Sequence, residues 1–173
     1  MGRFIGFYVA FYGGSMNQSL LVAGLILAGL IPEAAQDIRT GGKGETMTAR
    51  GTFDVKLSPQ ADDSAGAGPF GRLFLNKQFQ GELQASSHGQ MLSTETGQGS
   101  GAYVALEYVT GTLNGLQGSF VLQHVGTMRK GAYMLTVTVV PDSGTEQLKG
   151  IVGNMTIINE GSKHYYTFEY TIE

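Results

Sequence analysis

The chain has 173 residues, of which 14% are charged, with 27 glycines, no cysteine and a formal net charge of −3. This length is sufficient for one domain with a sizeable core, and the composition is not that of a disordered chain. The negative charge argues against a nucleic-acid partner, and the lack of cysteine excludes disulfides, thiolate metal sites and cysteine nucleophiles.

Residues 1–46 differ in character from the rest of the chain. Their longer apolar stretch, LLVAGLILAGLI at 20–31, is too short to cross a bilayer and lacks the basic flank and cleavage site of a signal peptide. A purine-rich ribosome-binding site followed by a start codon gives the residues KGETM, the run at 43–47, when it is translated in frame. We therefore expect Met47 to be the start of a cytoplasmic protein and residues 1–46 to be translated leader. One alternative is a signal peptide or anchor, which would make the protein secreted or membrane-attached, and another is that residues 1–46 are a folded part of the domain.

From Met47 onward, apolar and polar residues alternate in short runs separated by glycines, which is typical of half-buried β-strands. The predicted strands, in chain order, cover residues 52–57, 72–80, 82–93, 101–113, 118–128, 133–140, 150–158 and 163–172. Loops are predicted at 61–69 and 94–99, and no stretch after Met47 has helical periodicity with caps.

The connections between these strands predict hairpins. The segments 114–115, 129–131 and 160–162 each supply a glycine where a tight turn needs positive φ, and the PDSG segment at 141–144 has the composition of a turn. Because an open sheet of eight up-and-down strands would leave two unpaired edges, residues 47–173 are predicted to form a closed antiparallel β-barrel. A two-sheet β-sandwich is the alternative.

Two of the predicted strands, 101–113 and 118–128, are substantially apolar on both faces. A barrel with a filled interior, and with an outer face covered by loops or by another subunit, would have this pattern. The sequence therefore predicts a homo-oligomer of unspecified copy number.

Several long runs resemble a known family, among them MTARGTFDVKLSPQ, LNKQFQGELQASSHGQML and GAYVALEYVTGTLNGLQGSFVLQHVGTM. They are similar to the bacterial family called domain of unknown function 3224, over essentially residues 47–173. The resemblance implies a barrel like that of plant allene oxide cyclase. Allene oxide cyclases and the similarly built dirigent proteins suggest a hydrophobic cavity that holds a reactive small molecule in one conformation. No plant catalytic residue aligns with this chain, so none is transferred.

Glu107 is the first candidate for chemistry, because it lies in the middle of an apolar strand. A buried carboxylate there would have a raised pKa unless it were paired, and could act as a general acid or base. The neighbours Gln123 and His124 lie in the next strand, and since successive side chains point to opposite sides, only one of them can join Glu107 inside. The aromatic residues expected to line the interior are Tyr103, Tyr166, Phe168 and Tyr170, although core packing explains them equally well.

The remaining polar residues are assigned to the surface. Lys77 and Glu82 flank a corner and are predicted to form a weak surface ion pair, with a cavity-mouth anion site as the alternative. His88 is interpreted as a surface turn residue and His164 as an exposed residue at the edge of the last strand. The three histidines have no metal-binding spacing and no serine-hydrolase motif is present, so no metal or cofactor is predicted.

Three functions are compatible with these features. The first is a barrel that binds a small apolar molecule in its cavity. The second is a cofactor-independent cyclase or isomerase that uses a buried Glu. The third is an oligomeric accessory protein with a filled barrel. An internal cavity would separate the first two functions from the third, and a carboxylate with a raised pKa inside that cavity would separate the second from the first.

Overall fold

The computed structural model describes residues 44–61 and 68–173. The described residues form eight strands and one short 3₁₀ helix at Glu146–Leu148. The strands are β1 Met47–Pro59, β2 Phe70–Gly81, β3 Leu83–Gly97, β4 Ser100–Leu113, β5 Leu116–Arg129, β6 Ala132–Val139, β7 Ile151–Glu160 and β8 Lys163–Ile172. No helix among them is long and apolar enough to span a membrane.

The eight strands form one closed antiparallel barrel in which each strand pairs with its neighbours in the sequence. Closure is made by β1, which pairs with β2 on one side and with β8 on the other, from Met47 opposite Tyr170 to Phe53 opposite His164. The predicted barrel is confirmed, and the sandwich alternative is wrong, because this pairing leaves one continuous sheet without a second layer.

Several predicted boundaries differ from the structure, and β1 begins at Met47 rather than at residue 52. The polar segment 94–99 is mostly strand rather than loop, since β3 continues to Gly97 and pairs with β4 through an irregularity between Glu95 and Gly97. Backbone pairing with β4 holds these residues in the sheet although they contribute no apolar side chain. The predicted loop at 61–69 lies largely outside the described residues, as does nearly all of the N-terminal segment 1–46.

Tight turns join most strands, as the glycine positions predict. In the β4–β5 turn, Asn114 and Gly115 have φ values of 47° and 83°, and in the β5–β6 turn Lys130 and Gly131 have 51° and 85°. Positive φ at both central residues defines the type I′ turn, whose twist matches that of the flanking strands. These turns therefore fix the register of the hairpins on either side.

The two ends of the barrel differ. The helix end contains the β4–β5 turn and the 3₁₀ helix, whose Leu148 is buried. Other side chains near this end are at most 1% exposed and include Leu83, Leu113 and Ile151. Thr145, just before the helix, is tied to β5, because its Oγ1 accepts a hydrogen bond from Ser119 N at 3.0 Å. The opposite end, with the turns at 98–99, 130–131 and 161–162, is called the hairpin end below.

Inward-facing glycines create space for large aromatic rings. Gly126 on β5 lies directly opposite Tyr103 on β4, and a Cβ atom at Gly126 would lie 2.2 Å from a carbon of the Tyr103 ring. Gly51 is related in the same way to Tyr166, whose hydroxyl would lie 2.6 Å from an added Cβ. The rings therefore lie over glycine backbone, an arrangement that stabilises curved sheets.

Candidate functional site

A polar cluster lies in the middle of the barrel, surrounded by apolar side chains. Four successive strands each contribute one inward-facing residue to it: Lys77 from β2, Ser87 from β3, Glu107 from β4 and His124 from β5. All four side chains are buried, and Glu107 is completely so. The strand alternation that places apolar residues inside thus also places these four polar groups there.

Glu107 is the centre of the cluster and accepts three hydrogen bonds. Lys77 Nζ lies 2.7 Å and His124 Nε2 lies 2.8 Å from the same oxygen, Oε2. Ser87 Oγ donates to the other oxygen, Oε1, at 2.5 Å. A buried charge is tolerated when it is paired and hydrogen-bonded, and this carboxylate meets both conditions.

The surroundings keep Glu107 ionised. Burial by itself raises the pKa of this carboxyl, but the charge of Lys77 and the hydrogen bond from His124 outweigh it and lower the pKa to about 2. The pKa of His124 is lowered by burial and by the Lys77 charge, which Glu107 only partly offsets. Near neutral pH the cluster therefore contains a cation, an anion and a neutral imidazole.

This charge state determines what the cluster can do. An ionised carboxylate only accepts hydrogen bonds, so the proton of neutral His124 lies on Nε2, and Nδ1 carries the free lone pair. Glu107 is not available as a general acid near neutral pH, because its pKa is far too low and its oxygens are already bonded. The arrangement is suited to orienting Lys77 and His124 within an apolar interior.

An aromatic column connects this cluster to the hairpin end of the barrel. Lys77 Nζ lies 4.8 Å from the centre of the Phe53 ring, within the range of a cation–π contact. The ring of His164, close to the hairpin end, stacks on the Phe53 ring with centroids 5.0 Å apart. Burial and the Lys77 charge lower the pKa of His164, so this imidazole is also neutral near pH 7.

The barrel wall is weakest between β6 and β7. These two strands share one registered pair, Thr138 opposite Asn154, whereas every other pair of neighbouring strands shares seven or more. Toward the hairpin end, the inward-facing side chains of the two strands at the seam and of the adjacent β8 are half-buried rather than buried. They are Tyr133 and Leu135 on β6, Asn159 on β7 and His164 on β8. The Oδ1 atom of Asn159 is buried and has no hydrogen-bond partner among the described residues. The interior is therefore least enclosed at this seam.

The structure places most of the predicted site residues inside. Glu107 and His124 meet in the central cluster, and the predicted aromatic residues Tyr103, Tyr166 and Phe168 also face inward and are buried. Phe168 is fully packed, since it stacks between Phe120 and Tyr170. Of the two neighbours, His124 is the one that joins Glu107 inside. Gln123 faces the outside and is exposed, as strand alternation requires, so it is not part of an interior site.

Other surface assignments need correction. Lys77 does not pair with Glu82 at the surface, because it faces the interior and pairs with Glu107, while Glu82 accepts a hydrogen bond from Arg50 N. His88 is exposed as predicted but lies in the middle of β3 rather than in a turn. His164 is half-buried against Phe53 rather than exposed.

Lys77 and Ser87 were missed as members of the site, although the sequence contains a signal for Lys77. It shares the inward face of β2 with Leu73, Leu75 and Phe79, so alternation alone predicts a lysine among core residues. The signal for Ser87 is weaker, because a small hydroxyl is compatible with either face. Among the described residues, no three histidine, aspartate or glutamate side chains are grouped as metal ligands.

These features define a class of protein: a closed eight-stranded antiparallel barrel with a buried lysine–glutamate–histidine cluster. A sequence profile described as protein of unknown function (DUF3224) matches residues 49–170. The chain belongs to this family. It is similar to the crystal structure of a family member of unknown function from Shewanella oneidensis MR-1, with 47% identity and a TM-score of 0.70, over 75% of this chain and 98% of that one. A search of curated proteins gives no match.

Proposed function

We propose that the protein binds a small, uncharged, largely apolar molecule inside the barrel, and that the molecule enters between β6 and β7 near the hairpin end. The observation that carries the proposal is the seam between these strands, where a single registered pair holds the wall together. At the helix end, by contrast, the side chains of Leu148, Leu113 and Ile151 are fully buried. Ligand sites of β-barrels lie in the mouth of the barrel, and the open part of the seam is next to the mouth at the hairpin end.

The chemistry of the seam supports an uncharged ligand with one hydrogen-bonding group. Leu135, together with Tyr133 on the same strand, offers apolar half-buried surface that packs on the core. Asn159 offers an amide, and His164 a neutral imidazole, directly opposite each other in the β7–β8 register. The Lys77 and Glu107 charges lie deeper and compensate each other, so they attract neither sign of charge strongly.

The cyclase or isomerase alternative is not supported by a specific observation. It relies on a carboxyl with a raised pKa, whereas the pKa of Glu107 is lowered to about 2. The accessory-protein alternative relies on a filled barrel, and a titration with a neutral probe separates it from the proposed function.

The test is binding of the neutral fluorescent probe N-phenyl-1-naphthylamine. Wild type should bind it with micromolar affinity. Leu135→Trp places a bulky ring at the seam and should weaken binding at least 10-fold. The matched control is Met134→Trp, one residue away on the outer face, where the Met134 side chain is 70% exposed. This variant should leave the affinity for the probe unchanged.

Circular dichroism establishes that each variant is folded. If Leu135→Trp fails to fold, Asn159→Phe is the second variant, because it places a ring at the seam from the facing strand. Absence of probe binding to wild type at 100 µM would overturn the proposal. An equal loss of affinity in Met134→Trp would overturn it as well, because it would place the bound probe on the outside.

A further inference from the structure

The outer surface of β3, β4 and β5 carries no charged side chain over most of its length. No aspartate, glutamate, lysine or arginine occupies the outward positions from Gln84 to Thr94 on β3, from Ala102 to Thr112 on β4 and from Gln117 to Thr127 on β5. The outward positions of β1, by comparison, include Arg50, Asp54 and Lys56. Charge on the outer surface is therefore concentrated around β1 rather than on β3 to β5.

The centre of this uncharged surface is apolar. We call it the apolar face and define it by the exposed side chains of Leu92, Val104, Leu106, Tyr108 and Val125. The strand register makes them neighbours, since Leu92, Val104 and Val125 form one row across the three strands. Beside this row, a depression of about 540 Å³ is lined in part by Leu106 and the amides of Gln90 and Gln123. Contiguous exposed apolar surface of this kind marks interaction sites.

We infer that the apolar face binds a second copy of the same chain, in a symmetric dimer whose two-fold axis runs along the row formed by Gln90, Leu106 and Gln123. In such an interface each residue near the axis faces its own counterpart, so any charge there would meet the same charge. The absence of charge on this face meets that requirement. Gln90 and Gln123, which flank Leu106 in the same row, each carry both a donor and an acceptor and so pair with their own copies.

The size of the surface is that of a small interface. Three strands, β3 to β5, spaced about 4.8 Å apart and used over about ten residues, present roughly 490 Å² before side-chain relief is included. A dimer built on this face would bury on the order of 1,000 Å² in total, at the low end of specific protein interfaces. A membrane surface fits less well, because anionic lipids attract clustered basic residues. The only basic residue lining the depression is Arg72, and the chain has a net charge of −3.

The first test is the mass in solution, measured by light scattering between 10 and 100 µM. Wild type should have twice the chain mass, and Leu106→Lys should raise the dissociation constant at least 10-fold. The matched control is Ile158→Lys on β7. Ile158 is 51% exposed against 57% for Leu106, so the same charge is added at a similar site outside the apolar face. This control should remain a dimer.

The second test uses the absence of cysteine from the chain. A single Gln123→Cys substitution, close to the inferred axis, should give a disulfide-linked dimer on mild oxidation, whereas Thr156→Cys on the outer face of β7 should not. Four results would each overturn the inference: a monomeric wild type at 100 µM, a mass of three chains, dissociation by Ile158→Lys, or no cross-link through residue 123. None of these measurements depends on the ligand, so failure here and failure of the proposed function are separable.

Discussion

Glu107 is held as an anion by contacts that come from three other strands. Its carboxylate bonds Lys77, Ser87 and His124, none of which is within fifteen residues of it in the sequence. Strand alternation determines which residues share a face of the sheet with Glu107, but it does not predict which of them form hydrogen bonds with its carboxylate. The predicted condition for a raised pKa was an unpaired carboxylate, and pairing with Lys77 removes that condition.

The first prediction at this scale concerns the charge of Glu107. Replacing Glu107 with Gln leaves Lys77 buried without a counter-charge, and removing one partner of a buried pair typically costs about 3–5 kcal/mol. We expect a loss of that size in the free energy of unfolding measured by urea denaturation. Glu169→Gln, at an exposed carboxylate on β8, should change it by less than about 0.5 kcal/mol. A cost below about 1 kcal/mol for Glu107→Gln would contradict the assigned ion pair.

The second prediction concerns the loss of folding stability at acidic pH. The folded-state pKa of Glu107 is about 2 against a model value of 4.5, so on acidification the unfolded state takes up the proton first. The stabilisation is complete above pH 4.5 and is lost as the pH falls toward 2, by an amount on the order of 3 kcal/mol. His124, with a lowered pKa, acts in the same direction once the pH falls below 6.5.

Urea midpoints measured from pH 7 to pH 3 test this dependence. Wild type should lose stability steadily on acidification, while Glu107→Gln, already less stable at pH 7, should show a flatter profile below pH 4.5. Parallel profiles for the two proteins would show that other carboxyls cause the acid sensitivity.

At the scale of the strands, glycine and tyrosine positions are matched across the sheet. Gly126→Ala would place a methyl group 2.2 Å from the Tyr103 ring, so the ring or the strand must shift, at a cost of about 1–3 kcal/mol. In the Tyr103→Leu background, where the ring is absent, the same substitution should cost much less. A double-mutant cycle in urea measures the difference, and additive effects would show that the ring does not occupy the space over Gly126.

The seam between β6 and β7 has a consequence for hydrogen exchange. β6 pairs with β5 over eight positions but with β7 at one, so alternate amides of β6 lack a strand partner across the seam. We expect these alternate amides to exchange within minutes, whereas the amides of β4, paired on both edges, remain protected. Uniform protection along β6 would mean that the wall is continuous there, and it would remove the basis for the proposed route of access.

Strand existence was predictable at this scale, while some boundaries were not. All eight predicted strands are present, because each has enough alternation to identify a half-buried element by itself. The extension of β3 to Gly97 was missed, since the residues from Thr94 onward are polar and only pairing with β4 identifies them as strand. The 3₁₀ helix at Glu146–Leu148 is a single turn, too short to give periodicity.

At the scale of the whole molecule, the described pairs that close the sheet involve no residue before Met47. The pairing of β1 with β8 begins at Met47 and holds the first and last strands together. A chain that begins at residue 44 should therefore retain the near-ultraviolet spectrum of the full chain and a melting temperature within about 3 °C of it. Deletion through residue 53 removes the closing pairs and should abolish the cooperative transition. A large loss of stability on removing residues 1–43 would show that the N-terminal segment contributes to the fold.

The sequence by itself determined the strands, the barrel and the side of the sheet on which most residues lie, because side-chain direction in a strand follows a period of two and needs no distant information. Tertiary structure decided which inward residues meet. Closure and curvature of the sheet bring Lys77, Ser87 and His124 to one carboxylate across four strands, and they leave β6 and β7 apart. Such distances depend on the path of the whole chain, and no local pattern encodes them.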